Sequence, residues 1–339
     1  MLQSIPSPSP EWQGVPVGEW LTNLMPFLGN DVTLPWGATF NLANFDIRTY
    51  ALCILLGILL AAWLTARRLR QRGVDGGLVI DVAVFAVILG IIGARVFHVL
   101  TYPDEYLGEN FDLYNVIAVW NGGVAIFGAL IAGALGIWLG CKYTGLRFTT
   151  FVDALAPGML IAQAAGRLGN YVNHELFGQP TGLPWGLQIE ATNPAFPVGL
   201  PEGTLFHPTF LYEIIWNLVG AAVILWLDRR RDIQWGKAAG LYLIWYGVGR
   251  IVWESIRINP SEVFFGIRVN VWAAIGAVVL GVIIWLVQSR RHPGLEPTPW
   301  QPGREPEDDA VDSETYSELD EADTTAEPAV GAGTATTTT

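Results

Sequence analysis

Long apolar runs with almost no charge constrain this chain more than any other feature. Residues 50–66, 82–94 and 271–287 contain no Asp, Glu, Lys or Arg, and residues 210–227 contain only Glu213. A helix of about 20 apolar residues crosses the hydrocarbon core of a bilayer. With their flanks, these runs predict seven spans, near residues 49–66, 78–100, 122–141, 149–170, 208–227, 238–257 and 271–288. The third and fourth are rich in glycine, which suits close helix packing in lipid. Buried helices of a large soluble domain would need polar faces that these runs lack. The fold class is therefore an all-α polytopic membrane protein with seven transmembrane helices.

Charge gives the orientation. Threading the first span from outside to inside puts 13 of the 19 basic residues in inner loops or the C-terminal tail. The other six are Arg48, Arg95, Arg167, Arg250, Arg257 and Arg268. The positive-inside rule then predicts an external N-terminus and a cytoplasmic C-terminus. The net charge of −12 is misleading, because residues 293–339 hold 12 acidic residues and one basic one. Without them the body is nearly neutral. That balance excludes a nucleic-acid binder, since no basic stripe dominates. Three regions follow: an external segment at 1–47, a membrane domain at 48–292 with an external insert at about 171–206, and an acidic cytoplasmic tail at 293–339. The tail is too polar to fold alone and is expected to be disordered and dispensable.

The start of the chain, MLQSIPSPSPEW, lacks the charged and apolar regions of a signal peptide. Cys53 and Cys141 fall in different spans and read as small buried apolar residues. No HExxH or CxxC pair points to a metal. The insert is rich in proline and glycine, and reads either as a cap over the outer mouth or as a packed loop.

Ionisable residues inside spans are costly, so each is a functional candidate. The second span carries Arg95 and His98. The fourth ends in GRLGN, with Arg167 and Asn170. The fifth opens HPTFLYE, with His207, Tyr212 and Glu213, and the sixth carries Arg250, Glu254 and Arg257. Arg250 lies 13 residues beyond Lys237, roughly 20 Å along a helix, and so in the outer half. Similar counting places Arg95, Arg167, Glu213 and Tyr50 at that level. Arg250 and Glu254 are spaced to neutralise each other as an i,i+4 pair. Four arginines against Glu213 and Glu254 nonetheless leave a surplus of positive charge. Excess guanidinium near a membrane surface points to an anion, and its paired donors suit phosphate. Asp81 and Asp153 sit near span starts, where carboxylates favour helix N-termini. His98 reads as satisfied by a neighbour and His292 as solvated.

The segment GRLGNYVNHELFGQPT, residues 166–181, closely resembles the signature of bacterial prolipoprotein diacylglyceryl transferases. So do WNGG at 120–123, HPTFLYE at 207–213 and the GRIVWESIR end of span six; the resemblance covers roughly residues 45–290. It implies an enzyme that transfers the diacylglyceryl group of phosphatidylglycerol to the thiol of the lipobox cysteine of a secreted prolipoprotein. A thioether forms and glycerol phosphate leaves, without metal or organic cofactor. It further implies a multi-pass protein of the bacterial plasma membrane, the inner membrane where there are two, with its active site toward the outer leaflet. The family's essential arginines fall on Arg167 and Arg250, its asparagine on Asn170, its glutamate on Glu175 and its tyrosine on Tyr50. Arg167, Arg250 and Glu175 are the catalytic candidates. Tyr50, Arg95, Asn170, His207, Tyr212, Glu213, Glu254 and Arg257 are the substrate-binding candidates. Many members carry a histidine, assigned as the base, where this chain has Phe127. His174, Glu175, His207 and Glu254 remain open for that role. An anion or lipid transporter is the alternative from another class, and it would need a polar route to the inner face.

Overall fold

The computed structural model describes residues 4–17, 23, 31–33, 39–41, 46–106, 111–231, 233–259 and 261–305. Much of the external segment, and the acidic run from 306 onward expected to be disordered, lie outside the described residues. Seven long helices occupy the predicted positions among those described: α1 (Thr49–Arg70), α2 (Leu78–Thr101), α3 (Ile126–Thr144), α4 (Phe148–Val172), α5 (Thr209–Arg231), α6 (Lys237–Ile256) and α7 (Val269–Arg291). Six of them are long and apolar enough to cross a membrane, and α6 is the exception. The reason is local: α6 carries Arg250 and Glu254 together with two tyrosines and two tryptophans.

Helix α4 is the centre of the packing. It lies against α1, α5 and α6, while α2 pairs with α3 and α6 with α7. Small residues allow the closest approaches. A Cβ on Gly57 of α1 would stand 2.9 Å from the carbonyl oxygen of Ala162, and one on Gly158 of α4 would stand 3.0 Å from that of Ala61. Without a hydrophobic drive between helices in lipid, such backbone contact supplies the van der Waals attraction that holds them. Many apolar side chains on α1, α2, α3 and α7 face outward and are exposed, as a lipid-facing surface requires.

The basic helix ends gather on one side. Arg68 of α1 pairs with Asp228 of α5 at 3.1 Å, and Arg72 reaches the same carboxylate at 3.7 Å. Asp153 has the structural role expected, though it caps a different helix from its own. Its oxygens accept from the backbone N–H of Gly236 (2.7 Å) and Ala239 (2.9 Å), the N-terminus of α6. Cys53 and Cys141 form no disulfide with each other; Cys141 is buried as expected, whereas Cys53 is half-buried.

The boundary of the tail requires correction. Chain beyond α7 stays packed as far as Pro299. The Glu296 carboxylate accepts from the Thr149 hydroxyl at 2.7 Å, from the Thr150 hydroxyl and from the Trp235 backbone N–H at 3.2 Å. The Glu296 N–H donates to Gln234 Oε1, and the Arg147 N–H to the Pro299 carbonyl. His292, expected to be solvated, stacks on Trp235 at 4.0 Å. Composition reads this stretch as polar linker, because the partners that satisfy it lie far away in sequence. Residues 300–305 belong to a separate unit of the chain.

The insert is ordered and has its own core. Leu187–Gln188 pairs antiparallel with Leu205–Phe206, and Ile5 adds a parallel bridge to Leu187. Phe177, Leu187, Ile189 and Phe206 are buried together. Gln179 N–H donates to the Ile256 carbonyl, tying the insert to the end of α6.

Candidate active site

The C-terminal half of α4 supplies the first wall of the site. Arg167 and Asn170 share one face of the helix, as i,i+3 spacing dictates, and Arg167 Nη1 donates to Asn170 Oδ1 at 3.0 Å. Asn170 Nδ2 donates to Glu175 Oε1 at 2.7 Å, just beyond the helix end. The chain reverses there through His174 and Leu176, both at positive φ (54° and 60°). That turn brings Glu175 back over Asn170.

Helices α5 and α6 complete the charged layer. Glu213 Oε2 holds Arg167 Nη2 at 2.7 Å, and Glu213 Oε1 accepts from Arg257. Glu254 holds Arg250 at 3.0 Å, one turn away on α6. Arg257 also approaches Glu254 at 3.9 Å. The result is an alternating chain of Arg167, Glu213, Arg257, Glu254 and Arg250. Arg257 is at its buried centre, with a side chain 4% exposed, whereas Arg167 and Arg250 are 20% and 18% exposed. The middle of the chain is scaffold and its two ends are available.

Both ends open on a cavity of about 340 Å³ between α1, α4, α5 and α6. Tyr50, Arg167, Asn170, Glu213 and Arg250 line it, together with Gln163, Asn217 and Tyr246. Tyr50 is held by Gly169, where a Cβ would collide with the Tyr50 ring and stand 3.2 Å from its Cα. An apolar groove of about 420 Å³ adjoins the cavity and shares Trp216 and Trp253 with it. The two indoles at its back are locked together: Trp216 Nε1 donates to the Trp245 carbonyl at 3.1 Å, and Trp245 Nε1 to the Trp216 carbonyl at 3.0 Å. The site lies at the end of the helices opposite their basic termini.

Not every residue singled out in the sequence meets there. Arg95 does not line the cavity. Its guanidinium donates to the carbonyls of Asn115, Val116 (2.9 Å), Gly122 (2.7 Å) and Gly123 (2.8 Å), and lies over the Tyr106 ring. It pins the WNGG loop in place. His98 is satisfied by Tyr106 at 3.3 Å, as expected. Tyr212 lines the groove rather than the cavity, accepting from Trp185 Nε1 at 3.1 Å and lying 3.3 Å from His207. Glu175 is linked to the cavity only through Asn170. Phe127 packs on Phe97 with ring centres 6.4 Å apart, and Ile126 faces the cavity instead.

Sequence reading missed Arg268, Asn270, Gln163, Asn217 and Tyr246. Arg268 approaches the Glu254 carboxylate at 3.5 Å and donates to the Glu254 and Arg257 carbonyls; Asn270 Nδ2 donates to Glu254 Oε1 at 3.1 Å. Arg268 was visible as one of the six basic residues outside the inner loops. The neutral residues carried no signal, because an amide or phenol in a span is common.

The helices and this guanidinium-lined cavity define a polytopic membrane protein with a polar site at one end. The chain belongs to the prolipoprotein diacylglyceryl transferase family, whose model matches residues 38–287. It is thus a member of a family of transferases. It is 56% identical to a phosphatidylglycerol–prolipoprotein diacylglyceryl transferase of Leifsonia xyli subsp. xyli over 311 residues, covering 90% of this chain and 86% of the relative. It is 43% identical to such a transferase, numbered 2, of Streptomyces coelicolor, covering 77% and 82% of the two chains. With one of Bifidobacterium adolescentis the identity is 42%, covering 75% and 78%.

Proposed function

We propose that this chain transfers the diacylglyceryl group of phosphatidylglycerol to the cysteine thiol of a lipobox in secreted prolipoproteins. Sulfur attacks the terminal glycerol carbon, the C–S bond forms, the C–O bond to phosphate breaks, and glycerol phosphate leaves with the electron pair. The observation that carries this reading is the pair of partly exposed guanidiniums, Arg167 and Arg250, at the mouth of one cavity. Their donors face the place where a leaving phosphate gains charge, and such preorganised donors are worth several kcal/mol in a transition state. Asn170 orients Arg167, and Tyr50 closes the side of the cavity. The apolar groove beside Trp216 and Trp253 suits the acyl chains.

The thiol proton passes to the departing glycerol phosphate, so this scheme needs no dedicated carboxylate. Glu213 and Glu254 each hold two or more guanidiniums, so their oxygens are committed to ion pairs. The same surplus of arginine favours the thiolate directly. Of the other open candidates, His174 is turned to Glu190 at 2.9 Å, His207 to the Tyr212 hydroxyl at 3.3 Å, and Glu175 accepts from Asn170 at 2.7 Å.

Seven spans rather than six follow if α6 crosses with its neighbours, its charges masked by α4, α5 and α7. With its basic helix ends in the cytoplasm, the protein sits in the bacterial plasma membrane with the cavity toward the outer leaflet and the tail inside. The regions are then an external segment at 1–47, the membrane domain with its cap, and a cytoplasmic tail. Incubating the purified protein with phosphatidylglycerol vesicles and a lipobox peptide tests the reading. Mass spectrometry should show the diacylglyceryl adduct on the cysteine, and an unmodified peptide under all conditions would overturn the assignment.

A further inference from the structure

The cavity has two polar layers, and the mechanism above uses only one. On three of the helices that line it, a charged residue is followed one turn nearer the basic helix ends by a neutral polar one. Gln163 precedes Arg167 on α4, Asn217 follows Glu213 on α5, and Tyr246 precedes Arg250 on α6, each at a spacing of four residues. Because α5 runs opposite to α4 and α6, all three lie on the same side of the charged layer. All three line the cavity.

The inner layer holds unused hydrogen-bonding capacity. Gln163 Nε2 donates to the Tyr242 hydroxyl at 2.9 Å, while its Oε1 is buried without a partner. With the amide turned end for end, Oε1 accepts from the Tyr242 hydroxyl and Nε2 is left free as a donor to the ligand. Asn217 is 6% exposed and lines the cavity beside Trp216. A buried polar atom without a partner is costly, so Gln163, beside two further neutral polar side chains in one cavity, indicates a ligand that supplies the missing bond. The layer carries no charge, so that ligand is neutral there.

We infer that Gln163, Asn217 and Tyr246 form a subsite for the two ester groups of the donor glycerophospholipid. This rests on the transferase reading, because a lipid seated with its phosphate between Arg167 and Arg250 directs its esters to the next layer inward. The layers are one helical turn apart, about 5.4 Å, a span comparable with the glycerol backbone that separates phosphate from ester carbonyl. Amide and phenol donors match ester carbonyls, whereas an ether lacks the carbonyl and offers only its single-bonded oxygen. The subsite thus selects ester-linked donors and fixes the glycerol carbon that the thiol attacks.

The test compares diester phosphatidylglycerol with its diether analogue of equal chain length, using product formation and lipid retention in native mass spectrometry as separate readouts. Wild-type protein should show a KM for the diester about threefold to tenfold lower per hydrogen bond made, with tighter retention of the diester. In Gln163→Leu and Asn217→Leu the two lipids should converge, the diester KM rising and the diether KM staying put. Tyr242→Phe removes only the anchor of Gln163, and should blunt the preference less. Equal handling of both lipids by wild-type protein, or a preference that survives in both leucine variants, would overturn the subsite. Absence of thioether from either lipid would instead strike at the transferase reading, and the retention measurement would still decide the subsite.

Discussion

Arg167 reaches from α4 to Glu213 on α5, with Nη2 2.7 Å from Oε2, while the other Glu213 oxygen is occupied by Arg257. One buried carboxylate therefore positions a cavity arginine and is itself held by a scaffold arginine. The same device recurs on α6, where Glu254 joins Arg250 to Arg257 and Arg268. The two cavity guanidiniums are fixed relative to each other through three buried side chains.

Arg167→Ala and Arg250→Ala should each lower kcat by about 10²–10³, the usual cost of removing one preorganised donor to a developing anion. Lysine should rescue either poorly, since a point charge cannot replace a planar fork. Transfer to a reporter prolipoprotein in membranes measures this, with phosphatidylglycerol saturating.

Arg257 should behave differently. Its side chain is 4% exposed and sits between two carboxylates. Arg257→Met leaves Glu213 and Glu254 without their common partner, and breaking a buried pair in this way costs about 3–5 kcal/mol. A marked fall in Tm in detergent is expected together with lost activity, whereas Arg167→Ala should lower Tm far less.

Cutting the chain at 293 should reduce Tm, because it removes Glu296 and the contacts to Thr149, Thr150 and Trp235. Cutting at 306 should leave Tm and activity unchanged. Glu296→Gln separates the two effects: it keeps the length but weakens the hydroxyl bonds, and should lower Tm by an intermediate amount.

The cap should loosen in acid. Burial raises the Glu190 carboxyl, but hydrogen bonds from Ser7, its own backbone N–H and His174 outweigh that, and its pKa lies below the ordinary 4.5. A carboxyl depressed in the folded state stabilises it above the unfolded pKa. That contribution is lost as pH falls from about 4.5 through the lower folded value. Ser7→Ala should therefore show a shallower loss of Tm between neutral and acid pH than the parent. Identical slopes would remove Glu190 as a source of the acid response.

Much of the molecule was legible in one dimension. The positions of the long helices follow from apolar runs, because a bilayer admits only segments that satisfy their own backbone hydrogen bonds. Arg167, Arg250, Glu213 and Glu254 stood out because ionised groups are rare in such segments. Arg95 stood out for the same reason, yet its charge is spent on four loop carbonyls. Cost in the membrane marks a residue as important without saying which polar group meets the cost.

Sequence by itself determined the helices, the side on which the basic ends gather and the arginine surplus, since each depends on composition along a single segment. Tertiary structure decided which arginines face the cavity, that Arg268 replaces Arg95 in the charge network, that residues 293–299 are packed, and that Gln163, Asn217 and Tyr246 form a second layer. Those outcomes depend on which helix turns face one another, and helix packing in lipid is set by shape and hydrogen bonding between segments distant in the chain.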